Sequence, residues 1–304
     1  MKRVIISGST GAIGMALLSK LINENVEILV LCRRDSKRTN QIPDNPLIYI
    51  DYCNLSEFGS YQNTTGKSYD VFYHFAWDGT FGNTRNDMYL QNKNVKYALD
   101  AVQLAKRFGC KTFIGAGSQA EYGRVEAALT PDTPTFPENG YGIAKLCAGQ
   151  MTRILCQQLG IKHIWVRILS IYGPYDGVDT MIMSTIHKLL RSEVPKFTKC
   201  DQIWDYLYSD DAANAFFMIA NHGSHGKTYV LGSGEEKPLK EYIYELRDSI
   251  NPMLDIDLGA IPYNDNQVMY LSADIDELKK IGFIPSVGFK EGIKYLLSSM
   301  NKKL

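Results

Sequence analysis

Three glycines spaced three residues apart, Gly8, Gly11 and Gly14 in "VIISGSTGAIG", constrain this chain more than any other feature. They stand between the apolar run Val4 to Ser7 and a stretch, "AIGMALLSKLINEN", with helical apolar spacing. Glycine permits a tight turn, lets backbone approach a ligand, and lets a helix pack closely on a sheet. The helix that follows would offer free N–H groups and partial positive charge at its N-terminus, a setting suited to phosphates. The spacing is GxxGxxG and not GxGxxG, but its place directly after a first strand reads as a dinucleotide-binding βα loop. Gly8, Thr10, Gly11, Ala12, Ile13 and Gly14 are therefore candidate cofactor-binding residues.

Short apolar runs then alternate with longer amphipathic ones. "EILVLC" (27–32), "LIYID" (47–51), "DVFYHFA" (70–76), "KTFIGAG" (111–117) and "HIWVRILS" (163–170) read as further strands. Between and after them, 92–109 and 141–159 read as helices, closed by Gly109 and Gly160. Near-continuous apolar strands alternating with helices imply an α/β chain built on a doubly wound parallel sheet. From about residue 171 the pattern shifts to helices at 178–192, 210–221 and 238–250, with only short strands such as "TYVLG". Residues 1–170 are expected to form the cofactor domain, with 203–221 returning to it, and 171–304 mainly a smaller substrate lobe.

Composition narrows the function classes. Lys plus Arg and Asp plus Glu are 33 each, so no global field favours nucleic acid or membranes. The basic N-terminus precedes an apolar run too short for a signal peptide, and no apolar stretch approaches the ~20 residues of a membrane span. The six cysteines (32, 53, 110, 147, 156, 200) form no CxxC, which fits thiols in a reducing cytoplasm. His74, His163 and His187 are isolated among apolar residues, and no metal site is expected.

The second strand ends "LVLCRRDSKR". An acid there would accept hydrogen bonds from the ribose 2′-hydroxyl of NAD. Cys32 takes that place, followed by Arg33 and Arg34, and a guanidinium can grip a 2′-phosphate through paired hydrogen bonds. NADP(H) is the expected cofactor, with NAD(H) the alternative. "YGIAK" sets Tyr141 and Lys145 at i and i+4, on one helical face. A lysine charge about 4 Å from a phenol, at effective dielectric ~20, is worth about 4 kcal/mol, enough to lower its pKa by roughly three units.

Together the glycine loop, Ser118, "YGIAK", "RILSIYGP" (167–174) and "WDYLYSDDAA" (204–213) resemble an extended short-chain dehydrogenase/reductase of the nucleotide-sugar epimerase/dehydratase kind. The resemblance spans nearly the whole chain. It implies a Rossmann-type fold with a smaller C-terminal substrate lobe and a homodimer pairing the helices at 92–108 and 141–159. It also implies roles. Ser118 would hydrogen-bond the reacting sugar oxygen, Tyr141 would be the acid/base, and Lys145 would tune it and hold the nicotinamide ribose. Asp51 and Tyr52 would lie near the adenine; Phe75, Ala76 and Trp77, in "HFAW", would flank the cofactor. Asn94 would pack near the site.

Sugar 4,6-dehydratases of this family carry Asp and Glu just after the serine or threonine, because elimination needs an extra acid/base pair. Here those places are Gln119 and Ala120, and Glu121 comes one residue late. Dehydration is therefore not expected. Two hydride-transfer readings remain: an NADPH-dependent reduction of a CDP- or dTDP-linked 4-keto-6-deoxyhexose, or an NAD-dependent 4-epimerisation. The paired arginines favour the reductase. A non-catalytic NADP-binding regulator is a third reading, disfavoured by the intact Ser118, Tyr141 and Lys145. Ser170 replaces the family's usual Asn in "RxxNVYGP", and Trp204 replaces the Arg of "RDF", so both are candidate substrate contacts with Gln119.

Overall fold

The computed structural model describes residues 1–301. Seven parallel strands form its central sheet: β1 (Arg3–Ser7), β2 (Glu27–Cys32), β3 (Ile48–Tyr52), β4 (Val71–His74), β5 (Thr112–Ser118), β6 (Lys162–Ile168) and, after four short strands, β11 (Thr228–Leu231). Their order is β11-β6-β5-β4-β1-β2-β3. Strands β4 and β5 are buried along their whole length, as expected when helices cover both faces.

Helices α1 (Ala12–Asn23) and α5 (Ser209–His222) pack on one face, over Val4, Ile6, Val30 and Val166. Helices α2 (Met88–Arg107) and α3 (Gly140–Leu159) cover the other, and the small residues Ala98, Ala144 and Ala148 let them pack around Trp165. Asp87 caps α2, accepting from Leu90 N–H at 3.0 Å, so this helix begins four residues before the periodic stretch at 92. Asn139 caps α3 through Gly142 N–H at 2.8 Å, and Gly160, at φ +68°, ends it.

Two sequence expectations need adjustment. The run 163–170 is not one strand: β6 stops at Ile168, and β7 (Ser170–Tyr172) pairs in parallel with β10 (Tyr206–Tyr208). "TYVLG" is not an element of the C-terminal part but the seventh strand of the central sheet, parallel to β6, with Tyr229 opposite Val166. Its local periodicity is that of any short apolar run, and only the pairing partner reveals its place.

The remaining short strands are β8 (Lys196–Phe197), β9 (Ile203–Trp204), β12 (Lys237–Pro238) and β13 (Asp257–Leu258). They join α4 (Met181–Leu190), α6 (Leu239–Ile250) and α8 (Phe289–Asn301), whose apolar faces meet over Tyr172, Tyr208, Ile186, Ile243 and Ile293. A short α7 (Asp276–Lys280) packs back on the sheet through Leu278. Asp205, fully buried between β9 and β10, accepts from Ser233 N–H and Oγ–H at 2.7 Å each, and from Gly234 and Ala273 N–H. One carboxylate thus ties three segments, the structural role its neighbourhood suggests. Among the described residues, no helix is long and apolar enough to cross a membrane.

Candidate active site

The strand order reverses between β1 and β4, and a crevice opens beyond their C-terminal ends. Gly8 closes its floor. Its φ is +78°, and a Cβ there would lie 2.5 Å from Ala76 N, so no other residue fits without moving the segment just after β4. Gly11, which lines the crevice, caps α1 with no side-chain partner, and the first turn holds no acid, which leaves its N–H groups without a side-chain acceptor. A Cβ on Gly14 would meet Ser9 Cα at 2.6 Å; the third glycine lets the helix sit against its own loop.

The crevice is a cleft of about 630 Å³. Of the expected cofactor residues, Gly8, Thr10, Gly11, Arg33, Phe75, Ala76 and Trp77 line it. Arg34 lines a smaller adjoining pocket with Arg33 and Asn54. Ala12 and Ile13 lie in the first turn of α1 and do not line the cleft. Neither do Asp51 and Tyr52. The Asp51 carboxylate accepts from Tyr61 O–H, Tyr52 is exposed, and Cys53, Leu55 and Phe58 stand on the wall instead. Asn94 is also off the wall: its amide bonds both backbone groups of Asp78, at 3.1 and 2.8 Å, and so fixes the loop after β4. Missed from sequence were Lys37, Arg38 and Asp35 at the rim. Arg38 also donates to the Tyr175 carbonyl, bridging to the loop after β7. The uncapped start of α1, the glycine floor and the cationic rim suit a dinucleotide with phosphates at its centre.

Ser118 ends β5 and is buried. Its Oγ accepts from Ala120 N–H at 3.2 Å, and its own N–H donates to Glu121 Oε1 at 2.8 Å. Glu121 is wholly buried. Oε1 also accepts from Trp165 Nε1–H at 2.9 Å, and Oε2 pairs with Arg167 at 2.8 Å, whose side chain is 6% exposed. The Trp165 indole lies in a slot where Cβ atoms on Gly115, Gly117 or Gly149 would collide with it. The acid that comes one residue late is therefore held by three donors, from Ser118, Trp165 and Arg167. Nothing in the local sequence signals this, because its partners lie on another strand.

Tyr141, in the first turn of α3, faces Ser118. Burial raises its pKa, while the Ser118 hydroxyl and the Arg85 charge work against that rise. Lys145 is not its nearest cation. Its ammonium donates to the Ala116 carbonyl at 2.7 Å and lies 3.8 Å over the Trp77 ring, 5.7 Å from the Tyr141 ring centre. The Arg85 guanidinium lies 4.3 Å over that ring instead. Measured to the ring centre, the guanidinium is thus the nearer of the two cations. Burial itself brings Lys145 down to about 7, against an opposing push from Glu121. Of the expected substrate residues, Ser170 and Trp204 bond each other, Nε1–H to Oγ at 2.8 Å, and Gln119 opens the turn after Ser118.

The lysine has a measurable cost. An unfolded lysine holds its proton up to about pH 10.4. The folded one releases it near 7. The destabilisation is therefore complete below pH 7 and fades as pH rises towards 10. Lys145→Met should stabilise the fold by about 2 kcal/mol at pH 7 after the lost Ala116 bond is counted, with the gain vanishing near pH 10. Denaturant melts at the two pH values check this; a gain that does not shrink at high pH would refute it.

The model of the NAD dependent epimerase/dehydratase family matches residues 4–232. CDP-abequose synthase of Salmonella typhimurium is 24% identical over 306 residues, covering 98% of each chain. The dTDP-4-dehydro-6-deoxyglucose reductase of Escherichia coli is 25% identical over 316 residues, covering 99% of this chain and 98% of its own. Among solved structures, the UDP-N-acetylglucosamine 4-epimerase of Methanobrevibacter ruminantium M1 superposes with a TM-score of 0.89 at 19% identity, over 100% of this chain and 99% of the other. With the glycine-floored cleft and the Ser-Tyr-Lys cluster, these matches place the chain in the NAD dependent epimerase/dehydratase family of extended short-chain dehydrogenases/reductases, enzymes that use a nicotinamide dinucleotide to modify nucleotide sugars.

Proposed function

We propose that this protein reduces the 4-keto group of a CDP- or dTDP-linked 4-keto-6-deoxyhexose with NADPH. The observation that carries the reading is the lining of the cleft around Cys32 at the end of β2, where the cations Arg33, Lys37 and Arg38 outnumber the acids Asp35 and Asp78. That balance favours a 2′-phosphate and so a cofactor that exchanges each turnover. The cofactor supplies hydride to the carbonyl carbon. Ser118 Oγ–H donates to the carbonyl oxygen as charge develops, and Tyr141 gives that oxygen its proton. Lys145, whose ammonium donates to the β5 carbonyl of Ala116, would hold the ribose end. A dehydration is not supported, because Gln119 and Ala120 exchange no useful proton and Glu121 is bound from three sides.

NADPH oxidation with CDP- and dTDP-4-keto-6-deoxyglucose offered in parallel tests this. Stoichiometric loss of NADPH with one sugar is expected. No consumption with either, from protein that still binds a nicotinamide cofactor, would overturn the reductase and turn attention to UDP-hexose interconversion. The rim makes a second prediction. Arg33→Ser with Arg34→Ser should raise the KM for NADPH ~10- to 100-fold and leave that for NADH within about two-fold, since only the 2′-phosphate loses partners. Equal losses for both cofactors would show that the arginines do not read the phosphate.

A further inference from the structure

Arg85 lies on a short turn, Gly82–Asn86, that carries no recognisable motif, yet the turn is firmly built. The Asn86 side chain accepts from Gly140 N–H at 2.9 Å, docking the turn on the first residue of α3. The Gln91 amide donates to the Gly79 and Thr84 carbonyls at 2.9 Å each, and Arg85 itself donates to the Thr80 carbonyl at 3.1 Å. A Cβ on Gly140 would come within 3.1 Å of the Arg85 carbonyl, so the approach depends on that glycine. The turn thereby lays the guanidinium over the Tyr141 ring at 4.3 Å. The Trp77 ring meets Tyr141 edge-on at 6.2 Å and takes the Lys145 ammonium on its own face.

We propose that Arg85 is a positioning residue for Tyr141, the group whose charge stabilises the phenolate left when the phenol gives up its proton. The inference rests on the reading of Tyr141 as the proton donor. In the reduction, the carbonyl carbon gains a hydride and the carbonyl oxygen gains the Tyr141 proton. The O–H bond of the phenol breaks, its electron pair stays on the phenol oxygen, and the nicotinamide is oxidised by two electrons. The negative charge so formed faces Arg85 from the turn, Lys145 from its own helix and Glu121 from the turn after β5. Of the two cations, Arg85 is the one stacked on the ring. Its influence on the phenol acts in the stabilising direction, and Glu121 opposes it.

The test needs neither substrate nor cofactor. Phenolate absorbance in the near ultraviolet is followed against pH for the full chain, with Tyr141→Phe subtracted to isolate the one phenol. Arg85→Gln should move the Tyr141 midpoint up by roughly one pH unit, and Arg85→Lys should recover at least half of that shift. With substrate, Arg85→Gln should lower kcat about three-fold at neutral pH and leave the KM for the sugar unchanged. A midpoint that does not move overturns the inference, as does a Tyr141 phenol that fails to titrate before alkaline unfolding. A raised KM with unchanged kcat also overturns it, making Arg85 a substrate contact. If no sugar is turned over, the titration still decides the matter; if turnover is normal and the midpoint is fixed, this inference alone falls.

Discussion

Glu121→Ala is expected to destabilise the protein by about 4 kcal/mol, because it leaves the buried Arg167 guanidinium without a counter-charge. The same change strips a partner from Trp165 Nε1–H and from the Ser118 N–H, both on buried residues. At this chain length the loss corresponds to roughly 6 °C in the thermal midpoint. Removing both charges should cost far less than removing one, so Glu121→Met with Arg167→Met is expected to recover more than half of the stability. Calorimetry on the two variants separates the cases. A single variant that melts with the parent would mean the pair contributes nothing, and a double variant as weak as the single would place the effect in the Ser118 cap.

Tyr141→Phe is expected to lower kcat for the proposed reduction by ~10³-fold, in the range lost with a positioned proton donor. Cofactor affinity should stay within about two-fold, because the edge contact with Trp77 and the Lys145 placement do not involve the hydroxyl. Titration of the protein's tryptophan fluorescence with NADPH, beside steady-state rates, reads both quantities. A loss of less than ten-fold would remove Tyr141 from the proton-transfer role and point to a water or to Ser118.

The parallel sheet was legible in the chain because its inner strands are buried on both faces and so read as unbroken apolar runs. β2 matches its run, and β1, β3 and β5 lie within one residue of theirs. The glycine floor and the Tyr141, Lys145 pair were legible for a related reason: each depends on local spacing along one loop or one helix turn, whereas Ser118 entered through the family resemblance. Three things escaped. β11 has the pattern of any short strand, and its neighbour in the sheet lies about sixty residues upstream. Glu121 read as a displaced acid, since Trp165, Arg167 and the three glycines that admit the indole come together only across β5, β6 and α3. Arg85 sits in a turn without periodicity, and its place depends on an asparagine side chain meeting a glycine N–H far along the chain. Asp51 was placed near the adenine by resemblance alone, and its carboxylate accepts from the tyrosine ten residues on.

The late arrival of β11 bears on how the protein is made. During synthesis, β6 leaves the ribosome with one edge unpaired, and its hydrogen-bonding partner does not exist until residue 231 has been added. At ~5–20 residues per second that interval lasts several seconds. Through it, an apolar strand carrying Ile164 and Val166 offers an open ladder to any neighbouring nascent chain. A fragment ending near residue 170 would keep that edge permanently, so truncation at the apparent end of the cofactor half should yield aggregates and not a minimal nucleotide-binding unit.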